Sequence, residues 1–201
     1  MEGGCILNNI DRDKKPEVIV FAGPNGSGKS TVTTMAKIIL PYINADNIKA
    51  SIQCSDIAAA KIATKLRETQ IAQRKSFTFE TVLSTTRNLE LLVNAKNNGF
   101  FIRCIYVLTI DPAINILRVR SRVESGGHDV PKDIIRRRYY SALQLLPRLI
   151  KVCDICHIYD NSKEPFRIFK KRKDDMYYWE SSLWKKDEIF KLVGIDKSIE
   201  E

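Results

Sequence analysis

No apolar run in this 201-residue chain approaches the roughly 20 residues that a membrane-spanning helix needs. Residues 1–16 carry Glu2, Asp11, Arg12, Asp13, Lys14 and Lys15 and no hydrophobic segment of signal-peptide length. Together these absences argue against a secreted or membrane-embedded protein and predict a cytoplasmic one. Glycine (9) and proline (7) are too scarce for low-complexity sequence, and an apolar share of 44% is too high for a disordered chain. The five cysteines, Cys5, Cys54, Cys104, Cys153 and Cys156, are odd in number and scattered, which fits a reducing compartment better than a disulfide framework. Cys153 and Cys156 spell C-x-x-C, but no second pair stands at zinc-finger spacing and the tetrapeptide runs into a strand, so no metal or redox role is expected there.

At this length the chain is one domain, large enough to bury roughly 70% of the surface its unfolded form exposes. Its formal charge of +9 admits anionic partners. The charge is spread over several segments, with concentrations at Arg136 to Arg138 and Lys170 to Lys173, and no aromatic-basic RNA motif accompanies them. Nucleic acid is therefore not the expected partner.

The pattern alternates strands and helices. Residues 18–22 form a short β-branched run typical of a buried parallel strand, and residues 31–40 follow as a helix. Strands are expected at 41–46, 76–81, 101–110 and 155–159, and helices at 56–73, 88–97, 112–123 and 132–152, the last bent near Pro147. Residues 166–172 and 176–179 read as a hairpin and 185–192 as a terminal helix. This order predicts an α/β, three-layer domain whose parallel sheet is covered on both faces. It divides into a polar lead at 1–16, a core at 17–163 with a lid at 118–138, and a hairpin and helix at 164–201 packed on the core.

Between the first strand and helix stands Gly23-Pro24-Asn25-Gly26-Ser27-Gly28-Lys29-Ser30, a full match to G-x-x-x-x-G-K-S that continues into Thr31. At ordinary glycine usage a chance match in a chain of this length occurs on the order of once in a hundred. Glycines let the backbone wrap a polyphosphate with its N–H groups inward, and the following helix adds its positive end. Lys29 should reach the outer phosphates of ATP, and the Ser30 hydroxyl should ligate Mg²⁺. No N-K-x-D run for guanine is present, and one small domain leaves little room for a motor or transporter.

Arg118 and Arg122, four apart on a helix, share one face and lead into Ser125-Gly126-Gly127-His128, a segment able to close. On a lid, such arginines stabilise a phosphoryl group in transit; otherwise they are a solvated face. Asp46 ends the second strand at the carboxyl edge, where ligands bind in such sheets, and is the candidate to receive the acceptor's proton. Glu80 and Thr81 end the third strand at the same edge as substrate or Mg²⁺-shell contacts. Asp46 and Thr81 each also fit a helix N-cap.

These segments, together with Asn44-Ala45-Asp46, Phe77-Thr78-Phe79-Glu80-Thr81, Gly126 to Pro131 and Tyr159-Asp160-Asn161-Ser162, resemble the zeta toxin family of P-loop kinases in order and spacing from about Val18 to Ser162. The resemblance implies a five-stranded parallel sheet like that of the nucleoside monophosphate kinases, to which the sequence pattern adds the small C-terminal hairpin. It also implies an ATP-dependent kinase; the founding toxins phosphorylate a sugar hydroxyl of UDP-N-acetylglucosamine, and a toxic kinase needs a protein antitoxin. By that resemblance Asp46 acts on the acceptor hydroxyl, with Asn44 and His128 beside the substrate, while Lys29 and Arg122 handle phosphates. Asn161 is expected near the adenine. His128 takes the place of a second lid arginine, and Arg136 or Arg138 are substitutes for its charge. The chain is shorter than the founding toxins. A polynucleotide 5′-kinase and a non-catalytic ATP-gated interaction module are the competing readings.

Overall fold

The computed structural model describes residues 15–127 and 129–195. Five strands run parallel: β1 (Glu17–Ala22), β2 (Tyr42–Ile43), β3 (Phe77–Thr81), β4 (Phe101–Leu108) and β5 (Ile155–Asp160). The hairpin strands β6 (Phe166–Arg172) and β7 (Asp175–Tyr178) are not a separate appendage on a five-stranded sheet. They pair antiparallel beyond β5 and extend the sheet to seven strands in the order β2-β3-β1-β4-β5-β6-β7. The main-chain groups of β5 left open by β4 are satisfied this way, which the hydrophobic pattern of the hairpin alone does not reveal.

β1 is the middle one of the five parallel strands and is buried from Val18 onward. Val18, Val20 and Ala22 join the main core, while the alternate residues Ile19 and Phe21 face the other side and are buried too. The main core is closed by α3 (Asp56–Ala72), α4 (Arg87–Asn97), the C-terminal half of α6 (Lys132–Val152) and α7 (Lys186–Val193). Over β4 and β5 the second face is only partly covered, and Arg103, His157 and Tyr159 stay half-exposed there. α6 continues through Pro147 as one helix. Gly194, the left-handed C-cap of α7 at φ 73°, lies so close that an added Cβ would meet the Pro147 ring at 2.9 Å.

Three local departures from the sequence pattern matter near the site. α1 spans only Lys29–Met35 and buries no residue, so nothing rewards its continuation toward the exposed Leu40. β2 is two residues long. The chain then enters α2 (Ala45–Ile52), where a strand end was expected, because the Asn44 side chain caps it by accepting from the Asp46 N–H at 2.8 Å. Val119 of α5 (Pro112–Glu124), Val130 before α6 and Ile135 in its first turns form a second small apolar cluster that packs α5 against the start of α6.

Candidate active site

The loop from Gly23 to Lys29 follows β1 directly, and its glycines are demanded by close approaches. A Cβ on Gly23 would fall 2.0 Å from the Val107 carbonyl oxygen, and one on Gly28, at φ 89°, would fall 2.1 Å from the Asn161 side-chain nitrogen. The loop is braced from behind. Asn161 Nδ2 donates to the Ser27 carbonyl at 2.8 Å, and Asn115 Nδ2 donates to the Asn25 carbonyl at 2.6 Å. Asn115 is fully buried and its own oxygen accepts from the Thr109 hydroxyl, while the Thr109 carbonyl accepts from the Tyr139 hydroxyl at 2.6 Å. A chain of polar contacts thus ties α6, the end of β4 and α5 to the phosphate loop.

Lys29 donates from Nζ to the carbonyls of Gly23 at 2.8 Å and Pro24 at 2.9 Å. Withdrawal of its ammonium from water lowers its pKa to about 8; Glu80 and Asp46 oppose that shift and Arg122 adds to it. These four charges therefore feel one another, and all four line one cavity of about 740 Å³. Ser30 and Thr31, in the first turn of α1, line it as well.

In the same lining, Glu80 accepts from the Tyr42 hydroxyl at 2.9 Å and from Asn44 Nδ2 at 2.5 Å, and its Oε1 is buried with no hydrogen-bond partner. Burial, together with the charge of Glu80, pushes the Tyr42 hydroxyl up to about 12, so it remains a donor. Asp46 is exposed in the first turn of α2 and borders both this cavity and a neighbouring one of about 540 Å³; the helix cap is Asn44, not Asp46. Thr81 caps no helix either: its hydroxyl oxygen accepts from the Leu83 N–H at 3.0 Å and from Asn88 Nδ2 at 2.7 Å, which shapes the turn after β3.

Arg118 and Arg122 both face the cavity from α5. Arg118 Nη2 donates to the Ser162 carbonyl at 3.3 Å, while its Nη1 is buried without a partner. Arg138 lines the same space and donates to the Asn25 side-chain oxygen at 3.3 Å, whereas Arg136 is exposed and takes no part in the lining. His128 lies outside the described residues. Asn161, expected at the adenine, instead has its amide committed to the loop backbone and does not line the cavity.

Sequence reasoning passed over Asn115, Thr109, Arg67 and Asn88. Arg67 had a readable signal: it falls in the stripe Ala59, Ala63, Arg67, Ile71, where four-residue spacing marks the buried face of α3. The oxygen donors suit a Mg²⁺ ion, which favours hard ligands: the Ser30 hydroxyl on the cavity wall and the orphaned Glu80 Oε1. Among the described residues no group of three or more His, Cys, Asp or Glu is arranged to hold a metal ion.

Residues 5–174 match the Zeta toxin family. An uncharacterized protein of Haemophilus influenzae is 33% identical over 129 residues, which cover 61% of this chain and 92% of that protein. In the PezAT chromosomal toxin-antitoxin system of Streptococcus pneumoniae, a chain superposes with a TM-score of 0.60 at 16% identity, covering 90% of this chain and 84% of that one. The AvrRxo1-ORF1:AvrRxo1-ORF2 structure with sulphate ions gives a TM-score of 0.70 at 12% identity, over 94% of this chain and 67% of that one. At such identities the two structures share the fold with this chain. The family match extends well beyond half of the sequence, and this chain belongs to the zeta toxin family of P-loop kinases.

Proposed function

We propose that this protein transfers the γ-phosphate of ATP to a hydroxyl of a small phosphorylated metabolite, with a nucleotide sugar such as UDP-N-acetylglucosamine as the leading acceptor. The observation that carries the reading is that one cavity joins Lys29 and the phosphate loop to Asp46, Glu80 and Arg122. A kinase needs these two half-sites within reach of a single phosphoryl group.

In the proposed reaction the loop amides and Lys29 hold the β- and γ-phosphates, and Ser30 with Glu80 would hold Mg²⁺, which supplies charge neutralisation when bound. Asp46, open to the cavity and solvent, accepts the proton of the acceptor hydroxyl. The acceptor oxygen then forms its bond to the γ-phosphorus as the bond to the β–γ bridging oxygen breaks, and ADP leaves with that electron pair. Arg118 and Arg122 stabilise the charge spread over the transferring group, and Arg138, not Arg136, is placed to serve as the further lid cation. Closure of the segment around Gly126 and Gly127 excludes water. Membership of a toxin family makes a protein antitoxin a natural partner. Among the described residues no helix is long and apolar enough to cross a membrane.

The test is mass spectrometry of a metabolite extract incubated with the protein and ATP. The expected result is a gain of one phosphoryl group on a uridine-diphosphate sugar, absent with Lys29→Ala. Phosphorylation of RNA or DNA ends instead, with a steep dependence on salt, would replace this reading with a polynucleotide kinase. Tight ATP binding with no acceptor modified at all would leave a nucleotide-gated interaction module.

A further inference from the structure

The cavity wall holds a further cation that the proposed chemistry does not use. Arg67 is only 5% exposed and forms part of the cavity wall. Its contacts are all neutral: Nη1 donates to Asn88 Oδ1 at 3.0 Å, Nη2 donates to the Glu80 backbone carbonyl at 3.4 Å, and the guanidinium lies 4.6 Å from the centre of the Phe79 ring. Nε is buried with no partner, and among the described residues no carboxylate forms an ion pair with this side chain. Burial lowers its pKa to about 10, so at neutral pH it is charged.

A buried cation without a counter-ion costs several kcal/mol, and proteins retain one where something else supplies the charge. A second feature lies beside it. The first turn of α4, through Arg87 and Asn88, forms the adjoining wall, and the N-cap Thr86 makes no side-chain hydrogen bond to it. That turn therefore presents uncapped N–H groups and the positive end of an 11-residue helix next to Arg67.

We infer that Arg67 and the open N-terminal turn of α4 together anchor an anionic group of the acceptor, a phosphate or a carboxylate, in the cavity that the phosphate loop also lines. This rests on the kinase reading of the same site and deepens it: it assigns to named residues the recognition of the anionic group that the acceptor carries beside its reacting hydroxyl. Arg67 contacts the acceptor and sets which acceptors bind; it takes no part in the phosphoryl step itself.

The experiment saturates the phosphate loop with Mg²⁺ and the non-hydrolysable analogue AMP-PNP, then titrates pyrophosphate and, separately, malonate by calorimetry. Wild-type protein should bind one anion per chain, and whichever probe binds more tightly identifies phosphate or carboxylate as the natural group. Arg67→Gln should weaken that binding at least about tenfold, as loss of a charge-assisted contact does, with AMP-PNP affinity within about twofold of wild type, and Arg67→Lys should recover part of it. The unchanged AMP-PNP affinity guards against a folding defect, because a misfolded variant would lose both ligands together. A purely structural arginine predicts anion affinity unchanged in both variants. That result, or no second anion in wild-type protein, overturns the assignment. Anion binding that depends on Arg67 with no phosphoryl transfer to any acceptor would instead overturn the kinase reading alone.

Discussion

Lys29 is held in the free protein by two loop carbonyls, in a place where its pKa falls to about 8 from the ordinary 10.5. Polyphosphate replaces neutral carbonyls with anionic oxygens and pulls the proton back, so nucleotide binding at about pH 8.5 takes up protons. Affinity for AMP-PNP should accordingly fall as pH rises above about 8. Titrations in buffers of different ionisation heat should show net proton uptake in wild-type protein and none in Lys29→Met. At this scale the loop could be read from the sequence because its chemistry tolerates so few residue types: glycine where a side chain would strike Val107 or Asn161, lysine where phosphate ends. Arg67 could not be read so easily, since an arginine on a helix ordinarily marks the solvent face, and only its place in an alanine stripe says otherwise. Asn115 was equally silent. An asparagine inside a helix becomes a loop brace only through a contact 90 residues away.

Among the elements, the end of α5 and the turn after it, the proposed lid, join packing to chemistry most directly. Gly127 lies against Arg122: an added Cβ would meet the Arg122 Cγ at 2.6 Å and its carbonyl oxygen at 2.9 Å. Arg122 is exposed and Gly127 half-exposed, so the clash is relieved by moving the arginine or the loop rather than by unfolding. Gly127→Ala should therefore lower phosphoryl transfer about tenfold or more, as misplacing a charge-stabilising group does, with the melting temperature within about 2 °C of wild type. A rate assay paired with a thermal melt checks both halves. Strands β1, β4 and β5 and helices α4 to α6 were legible because each pays into a buried face with a clear period. α1 and α2 bury no residues, and there the pattern overran in one case and missed a helix in the other. The Asn44 cap was the only local mark of α2, and its presence moves Asp46 from a strand end to a helix turn.

For the molecule as a whole, the sheet gathers its chemistry at the carboxyl ends of the parallel strands, from both sides of β1, and leaves a charged, partly covered face at β4 to β6. There His157 stacks on Tyr159 at 6.4 Å, and burial, followed by the charges of Arg167, Lys170 and Arg103, lowers its pKa to about 4. The unfolded chain accepts this proton near pH 6.5 while the folded chain refuses it until about pH 4, so stability is lost as pH falls through that interval. Urea unfolding at about pH 7 and pH 5 should show a midpoint that drops in wild-type protein and drops less in His157→Gln. The seven-stranded sheet itself was only partly foreseeable: five parallel strands follow from the alternation of strands and helices, whereas the docking of β6 on β5 is a pairing choice that no local pattern encodes. The central claim is that a single cavity carries ATP at one pole and an acceptor activated by Asp46 at the other. Single-turnover transfer from γ-labelled ATP to acceptor, measured with wild-type and Asp46→Asn proteins, tests it most directly. The prediction is a loss on the order of a hundredfold or more in the transfer rate with nucleotide affinity unchanged, and transfer by Asp46→Asn at the wild-type rate would contradict it.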